Sequence, residues 1–179
     1  FNLDAGRDPQ HYGIGLKELW EIDPAKHEEG MVLHGSGWPL SETHSSGGWW
    51  LYFDENNQVS FGLVVDLAYH NPYLSPFDEL QRLKTHPLIR NILEGGKRLS
   101  YGARALTKGG LNALPKLTFA GGVLVGDDAG FLNPAKIKGT HTAIKSGMLA
   151  AEAVYEAIAA GRANDEVTTY EQNFKNSWL

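Results

Sequence analysis

Cysteine is missing altogether, which excludes disulfides, thiolate nucleophiles and any thiolate-held iron-sulfur cluster within these residues. Basic clusters are missing too: 16 Lys and Arg stand against 21 Asp and Glu, the formal charge is −5 and the pI is about 5.8. A nucleic-acid surface needs concentrated Lys and Arg to neutralise phosphates, so that class of partner is excluded. No apolar run approaches the roughly 20 residues of a bilayer-spanning helix, and Phe1-Asn2-Leu3-Asp4 has the character of neither a signal peptide nor an Arg-rich transit segment. The seven His contain no His-Glu-x-x-His and no paired metal spacing. Ser36 sits in Gly35-Ser36-Gly37 and not in a hydrolase elbow. Gly13-Ile14-Gly15 fails as a dinucleotide fingerprint, because Glu18 occupies the third glycine's place.

What is present suits a folded domain: 179 residues, 42% of them apolar and 21% charged. The chain starts without Met and stops at Asn176-Ser177-Trp178-Leu179 on a helical pattern, as a piece of a longer protein would. Tyr12 to Ile22 reads as a strand closed by Asp23-Pro24, and Met31 to His34 as the next. Trp49 to Phe53, a turn at Asp54-Glu55-Asn56-Asn57 and Val59 to Val65 form a hairpin, in which Val59, Phe61, Leu63 and Val65 share one face. Ser75-Pro76-Phe77-Asp78 starts a helix with Phe77, Leu80 and Leu83 as its apolar stripe. Pro87 opens a second with Leu88, Ile89, Ile92 and Leu93, stopped by Gly95-Gly96, and Arg98 to Ala105 reads as another strand. Leu117-Thr118-Phe119 leads through Gly121-Gly122 into Val123-Leu124-Val125, a strand of buried type that ends at Gly126-Asp127-Asp128-Ala129-Gly130. After a loop to Gly139, a long helix runs from Thr140 to Ala160, with Ile144, Met148, Leu149, Ala151, Tyr155 and Ile158 at helical spacing. Thr168 to Leu179 reads as a further helix. The class expected is α+β, a mixed or antiparallel sheet with flanking helices.

The segment Val123 to Gly130 carries the clearest chemistry. A strand that presents Gly and Asp at its carboxyl end, followed by a helix whose amino end faces the same crevice, is where open α/β sheets bind ligands. Gly126 permits close backbone approach, and the Asp127 carboxylate accepts hydrogen bonds from hydroxyls such as those of a ribityl chain. The amides of Gly139 and Thr140, with the positive end of the helix dipole, favour negative charge on a reduced flavin ring. A lone Gly-Asp pair also serves simply as a turn before a helix, and that reading stands beside the first. His141 at the helix start is either a group near proton transfer or a packed imidazole, and Lys136 and Lys138 either meet an acidic partner or are merely solvated.

The run Gly126 to Pro134 followed by Lys136 to Ala143 resembles the second FAD-contacting motif of the flavoproteins that include aromatic hydroxylases and geranylgeranyl reductases. With Tyr12 to Trp20, Gly37-Trp38-Pro39-Leu40, Asn71 to Phe77, Leu93 to Arg98, Tyr101 to Leu106 and Asn176-Ser177-Trp178, nearly the whole chain resembles the electron transfer flavoprotein-ubiquinone oxidoreductase family. The resemblance implies a fragment of a FAD-dependent oxidoreductase of the glutathione-reductase-like superfamily, with residues 1–112 as a ubiquinone-binding region and 113–179 as the C-terminal segment of the FAD domain. It implies Gly126, Asp127, Gly139 and Thr140 as FAD contacts, and Gly47 and Gly48, just before the Trp49-Trp50 strand, as the backbone site for the quinone. Trp49, Trp50 and Tyr52 then either line a quinone channel, meet the membrane interface or pack a core.

For the parent protein the resemblance implies FAD and one 4Fe-4S cluster, electron transfer flavoprotein as donor and ubiquinone as acceptor. It also implies peripheral attachment to a membrane surface, either the cytoplasmic face of a bacterial inner membrane or the matrix face of the mitochondrial one. Neither a Gly-rich pyrophosphate loop nor cluster cysteines occur in these residues, so the isolated chain is expected to be inactive and to bind FAD weakly or not at all. A homodimer formed across apolar surface is a further expectation. Two rivals are another reductase or hydroxylase of the same flavoprotein superfamily, and a non-catalytic module that binds lipid or protein through the Trp-rich sheet.

Overall fold

The computed structural model describes residues 1–179. The chain forms two compact units, Gly13–Ala105 and a second made of Phe1–Tyr12 with Leu106–Leu179.

The first unit is built on a five-stranded sheet of order β2-β3-β4-β1-β5, with β1 at Tyr12–Glu21, β2 at Val32–Gly35, β3 at Gly47–Phe53, β4 at Gln58–Asp66 and β5 at Lys97–Thr107. The pairs β1–β4, β2–β3 and β3–β4 are antiparallel. Period-two alternation sends Val59, Phe61, Leu63 and Val65 to one face, where each is at most 1% exposed. Their register partners Trp49, Leu51 and Phe53 on β3, and Ile14, Leu16, Glu18 and Trp20 on β1, share that face. Helices α1 (Pro76–Leu83) and α2 (Pro87–Leu93) cover it with Leu80, Leu83, Ile89 and Leu93.

The start of α1 follows from local chemistry. Ser75 Oγ accepts from the Asp78 N–H at 3.3 Å, Pro76 occupies the first turn, and Asp78 and Glu79 sit at the positive end. The expected stripe needs correction, since Phe77 is 54% exposed and Leu88 on α2 is 45% exposed. Glu79 turns inward instead, because both its carboxylate oxygens accept from Arg82 Nη1 at 3.0 Å and its charge is neutralised there. A second buried acid, Glu18, lies within the core face: Trp20 Nε1 donates to it at 2.8 Å, Lys84 Nζ at 3.1 Å and Arg98 Nη1 at 3.3 Å.

In the second unit, β6 (Thr118–Phe119) and β7 (Gly122–Val123) form a minimal antiparallel pair. The buried-type strand expected at Val123 to Val125 is therefore only two residues long, and Val125 is 40% exposed, because one short partner covers neither face of such a segment. Gly126–Ala129 forms a single helical turn, α3, in place of an open loop, closed by Gly130 at φ 107°. Helix α4 (Thr140–Ala159) is 20 residues long, and α5 spans Thr168–Lys175.

The buried side of α4 is made of Thr142, Ser146, Leu149, Ala150, Ala153 and Ala157, packed with Leu114, Leu117, Phe131, Val167 and Tyr170. Of the expected stripe only Leu149 points inward. Ile144, Met148, Tyr155 and Ile158 are 61%, 50%, 73% and 63% exposed. Small residues let α4 approach its neighbours closely, and the large apolar ones lie opposite.

Candidate functional site

The segment from Val123 to Thr142 brings the predicted flavin-facing residues to one place. Gly126 has φ 71°, a conformation that favours glycine, and a Cβ there would stand 3.9 Å from Ala143 Cβ on the first turn of α4. The Gly126 N–H donates to Ser146 Oγ at 3.0 Å, and Thr107 Oγ1 donates to the Asp127 carbonyl at 2.8 Å. Helix α3 is thereby held against the amino end of α4. A Cβ on Gly139 would stand 3.1 Å from Leu132 Cδ1 and 3.7 Å from Asp127 Oδ1. The Asp127 carboxylate thus lies at the amino end of α4, beside Gly139 and Thr140. That end carries no side-chain cap and no acidic residue in its first turn. A half-buried carboxylate next to a helix amino end without a cap is equipped to accept from ligand hydroxyls and to favour negative charge, which suits the polyol and ring of a flavin.

Several supports of this arrangement were not singled out in the sequence. Thr142 is buried and its hydroxyl bonds the Phe131 carbonyl, as well as the Gly139 carbonyl at 2.8 Å. Tyr170 is fully buried, donates to the Leu124 carbonyl at 3.1 Å and also meets Ser146. Burial pushes its phenol up to about 12, with Glu171 adding to the rise and the bond to Ser146 opposing it. Thr142 and Ser146 sit four residues apart on the small-residue face of α4, a spacing that does not by itself separate a supporting hydroxyl from a solvated one. His141 stacks on Trp178 with an interplanar angle of 10° and a centroid separation of 6.1 Å.

Gly47 and Gly48 lie within β3 and not ahead of it, paired with Val65 and Val64. Both are required by their surroundings. A Cβ on Gly47 would run into the Val64 carbonyl and stand 2.5 Å from Leu40 Cδ1, and one on Gly48 would stand 2.9 Å from the Gly35 carbonyl. Antiparallel alternation fixes the direction of their peptide groups. Asp66 N donates to Ser46 O at 2.9 Å, so Ser46, Gly48 and Trp50 turn their groups toward β4. Gly47 and Trp49 turn theirs toward β2, and β2 ends at Gly35, opposite Trp49. The Gly47 peptide groups therefore lie past the end of β2, on a small-residue stretch of backbone with Leu40 against it.

The two tryptophans divide between the faces. Trp49 lies over Gly35 and packs against the helix-covered core, whereas Trp50 lies over Gly62 on the other face. There Trp50 neighbours Tyr52 at a centroid separation of 6.5 Å, and Tyr52 OH meets His34 Nε2 at 2.8 Å.

A family model described as the ubiquinone-binding region of ETF-QO matches residues 12–106, which agrees to within a residue at each end with the unit Gly13–Ala105. The chain is 67% identical to a probable electron transfer flavoprotein-ubiquinone oxidoreductase of Acinetobacter baylyi, 61% to the Pseudomonas aeruginosa oxidoreductase and 54% to the human mitochondrial one. All of this chain is aligned in each case, against 34%, 32% and 30% of the relative; the chain thus spans about a third of their length. Among solved structures, a geranylgeranyl bacteriochlorophyll reductase-like protein of Thermoplasma acidophilum superposes with a TM-score of 0.69 over 93% of this chain and 39% of its own, at 22% identity. A flavin-dependent brominase superposes at 0.59 over 92% of this chain and 40% of its own, at 16% identity. These likenesses show the fold.

Proposed function

The chain belongs to the electron transfer flavoprotein-ubiquinone oxidoreductase family, and from this we propose that it is the part of such an enzyme that receives the quinone and closes over the flavin. The quinone region is assigned to residues 1–112 and the FAD-contacting segment to 113–179. In the whole enzyme, electrons pass from reduced electron transfer flavoprotein through FAD and a 4Fe-4S cluster to ubiquinone at a membrane surface. That surface is the bacterial inner membrane's cytoplasmic face or the mitochondrial inner membrane's matrix face. No helix here is long and apolar enough to cross a membrane. The chain has no cysteine, so the cluster's thiolates belong to other parts of the enzyme.

The observation that carries this reading is the family match over 12–106, with Gly47 and Gly48 inside it and the Gly47 peptide groups directed past the end of β2. Quinone oxygens need hydrogen-bond donors and the ring needs a flat approach, and a glycine pair in a sheet offers both. For the flavin, which supplies the redox chemistry when bound, Gly126, Asp127, Gly139 and Thr140 are the holding residues. Asp127 accepts from the polyol, while the Gly139 and Thr140 backbone at the amino end of α4 faces the ring. The missing Cβ at Gly139 lets Leu132 and the Asp127 carboxylate approach that end closely, and Ser146, Thr107 and Thr142 fix the segment.

Titrating the chain with a water-soluble ubiquinone analogue while following Trp emission tests the quinone site. Saturable quenching that Gly48→Ala weakens is the expected result. A linear response equal in both proteins refutes it and favours a module that binds lipid or protein through the sheet. The isolated chain is further proposed to bind FAD weakly and to lack activity, so a stoichiometric yellow flavin after purification counts against this part.

A second property has its own observation. Ile144, Met148, Ala151, Tyr155 and Ile158 follow at spacings of four and three along α4 and are exposed, which is the period of a coiled-coil seam. Gly147 on the same side has open space above it. An antiparallel copy centred on Ala151 would set Tyr155 over Gly147 and bring Lys145 near Glu156, so this face is proposed to form a homodimer of the isolated chain.

A further inference from the structure

The segment that leads into the glycine pair is fastened by one side chain. Trp38 precedes the turn Leu40–Thr43 and Glu42 lies within it, and the Trp38 indole N–H donates to Glu42 Oε1 at 2.9 Å. The other Glu42 oxygen accepts from Arg82 Nη2, while Arg82 Nη1 holds both oxygens of Glu79 at 3.0 Å. The Arg82 guanidinium carbon stands 5.6 Å from the centre of the Trp38 ring, whose other neighbour is the His86 ring at 5.9 Å. Between Trp38 and Glu42, Pro39 and Leu40 are buried, and Leu40 reaches the backbone at Gly47. A planar fork with five donors is the group that can grip two carboxylates and lie against an indole at once.

We propose that Arg82 is a positioning residue for the quinone site, gripping Glu42 and Trp38 so that Leu40 seats against Gly47 and fixes the glycine pair. This rests on the quinone reading of Gly47 and Gly48. Glu79 alone does not explain the arrangement, because a buried carboxylate on α1 needs a cation but needs no tie to a segment 40 residues away. The Glu42 carboxyl is held below the usual range by its bonds to Arg82 and then to Trp38, so the tie persists through neutral pH.

Amide exchange over residues 38–48, measured on the full chain without quinone, tests the anchor. Arg82→Gln and Glu42→Ala are expected to speed exchange there by about tenfold or more, with amides of β4 unchanged. Glu79→Gln, which leaves the tie to Glu42 in place, is expected to leave that segment as it was. Glu42→Ala removes no partner from Glu79, so it keeps the test valid if Arg82→Gln fails to fold. For the ubiquinone analogue, Arg82→Gln and Glu42→Ala are expected to raise Kd about tenfold through lost preorganisation, and Arg82→Lys to restore affinity only in part. Unchanged exchange in Glu42→Ala overturns the anchor. Unchanged Kd beside faster exchange overturns the link to the quinone. Absence of saturable binding by the native chain removes the quinone reading, and with it the positioning role, while exchange still decides the anchor.

Discussion

Tyr170 joins the candidate flavin segment to the interior of its unit through one hydroxyl, which serves the Leu124 carbonyl and Ser146. Tyr170→Phe leaves that partly buried carbonyl without its donor, and a loss of about 1–3 kcal/mol is expected in urea unfolding. The phenol also sets a pH signature. An unfolded Tyr titrates near 10, and the folded one at about 12, so its contribution is complete below pH 10 and vanishes as pH rises from there to about 12. The difference in unfolding midpoint between the native chain and Tyr170→Phe should therefore shrink over that interval. Gly47 is a second test at this scale: Gly47→Ala drives a methyl into the Val64 carbonyl and Leu40, and a loss of about 1–3 kcal/mol is expected in thermal unfolding. That Gly126, Asp127 and Gly139 come together beside the start of α4 was legible, because a Gly-Asp turn after an apolar run and before a long helix folds back on the helix's amino end. Tyr170 and Thr142 were not legible as supports, since a Tyr or Thr on a helix looks the same whether its hydroxyl meets water or a carbonyl 46 or 11 residues away.

Hairpin β3–β4 was readable almost to the residue, because alternating Val59, Phe61, Leu63 and Val65 beside Asn56-Asn57 leaves one register that buries them. Both Asn residues take positive φ, near 59° and 58°, as that tight connection demands. The helices were readable in extent and less so in orientation. On α4 the large apolar residues suggested the buried side, yet Ser146, Ala150, Ala153 and Ala157 are the contact side, since close approach selects small side chains and hydropathy alone does not reveal that. Glu18 in the middle of β1 is the element-scale counterpart, a buried acid that ties α1, through Lys84 at its carboxyl end, and β5, through Arg98, to the sheet. Glu18→Ala strands the partly buried Lys84 and is expected to cost about 3–5 kcal/mol in denaturant unfolding of the sheet unit. A change within error would mean that solvent already screens the pair.

At the scale of the whole chain, the proposed seam on α4 predicts association that depends on concentration. The native chain should sediment as a dimer in the micromolar to millimolar range, and Ile144→Ser with Tyr155→Ser should return it to a monomer without loss of helix by circular dichroism, because both side chains face solvent. A native chain that stays monomeric throughout would contradict the seam. A homodimer across apolar surface was expected from the sequence, but not its place, since the large apolar residues of α4 read as the buried side until packing shows them exposed.

The two units are also unequal in how they are written along the chain. The sheet unit is one uninterrupted stretch, Gly13–Ala105, whereas its companion is assembled from Phe1–Tyr12 and Leu106–Leu179. On a ribosome, Phe1–Tyr12 emerge before the sheet unit and find their partners after it, when its strands and helices are already available to fold. Asp8, whose N–H meets the Asn112 carbonyl, and Leu3, whose carbonyl meets the Lys116 N–H, wait for sequence more than a hundred positions downstream. Vectorial synthesis therefore favours an order of maturation in which the sheet settles ahead of the helical body, and long-range closure sets the pace of the final step.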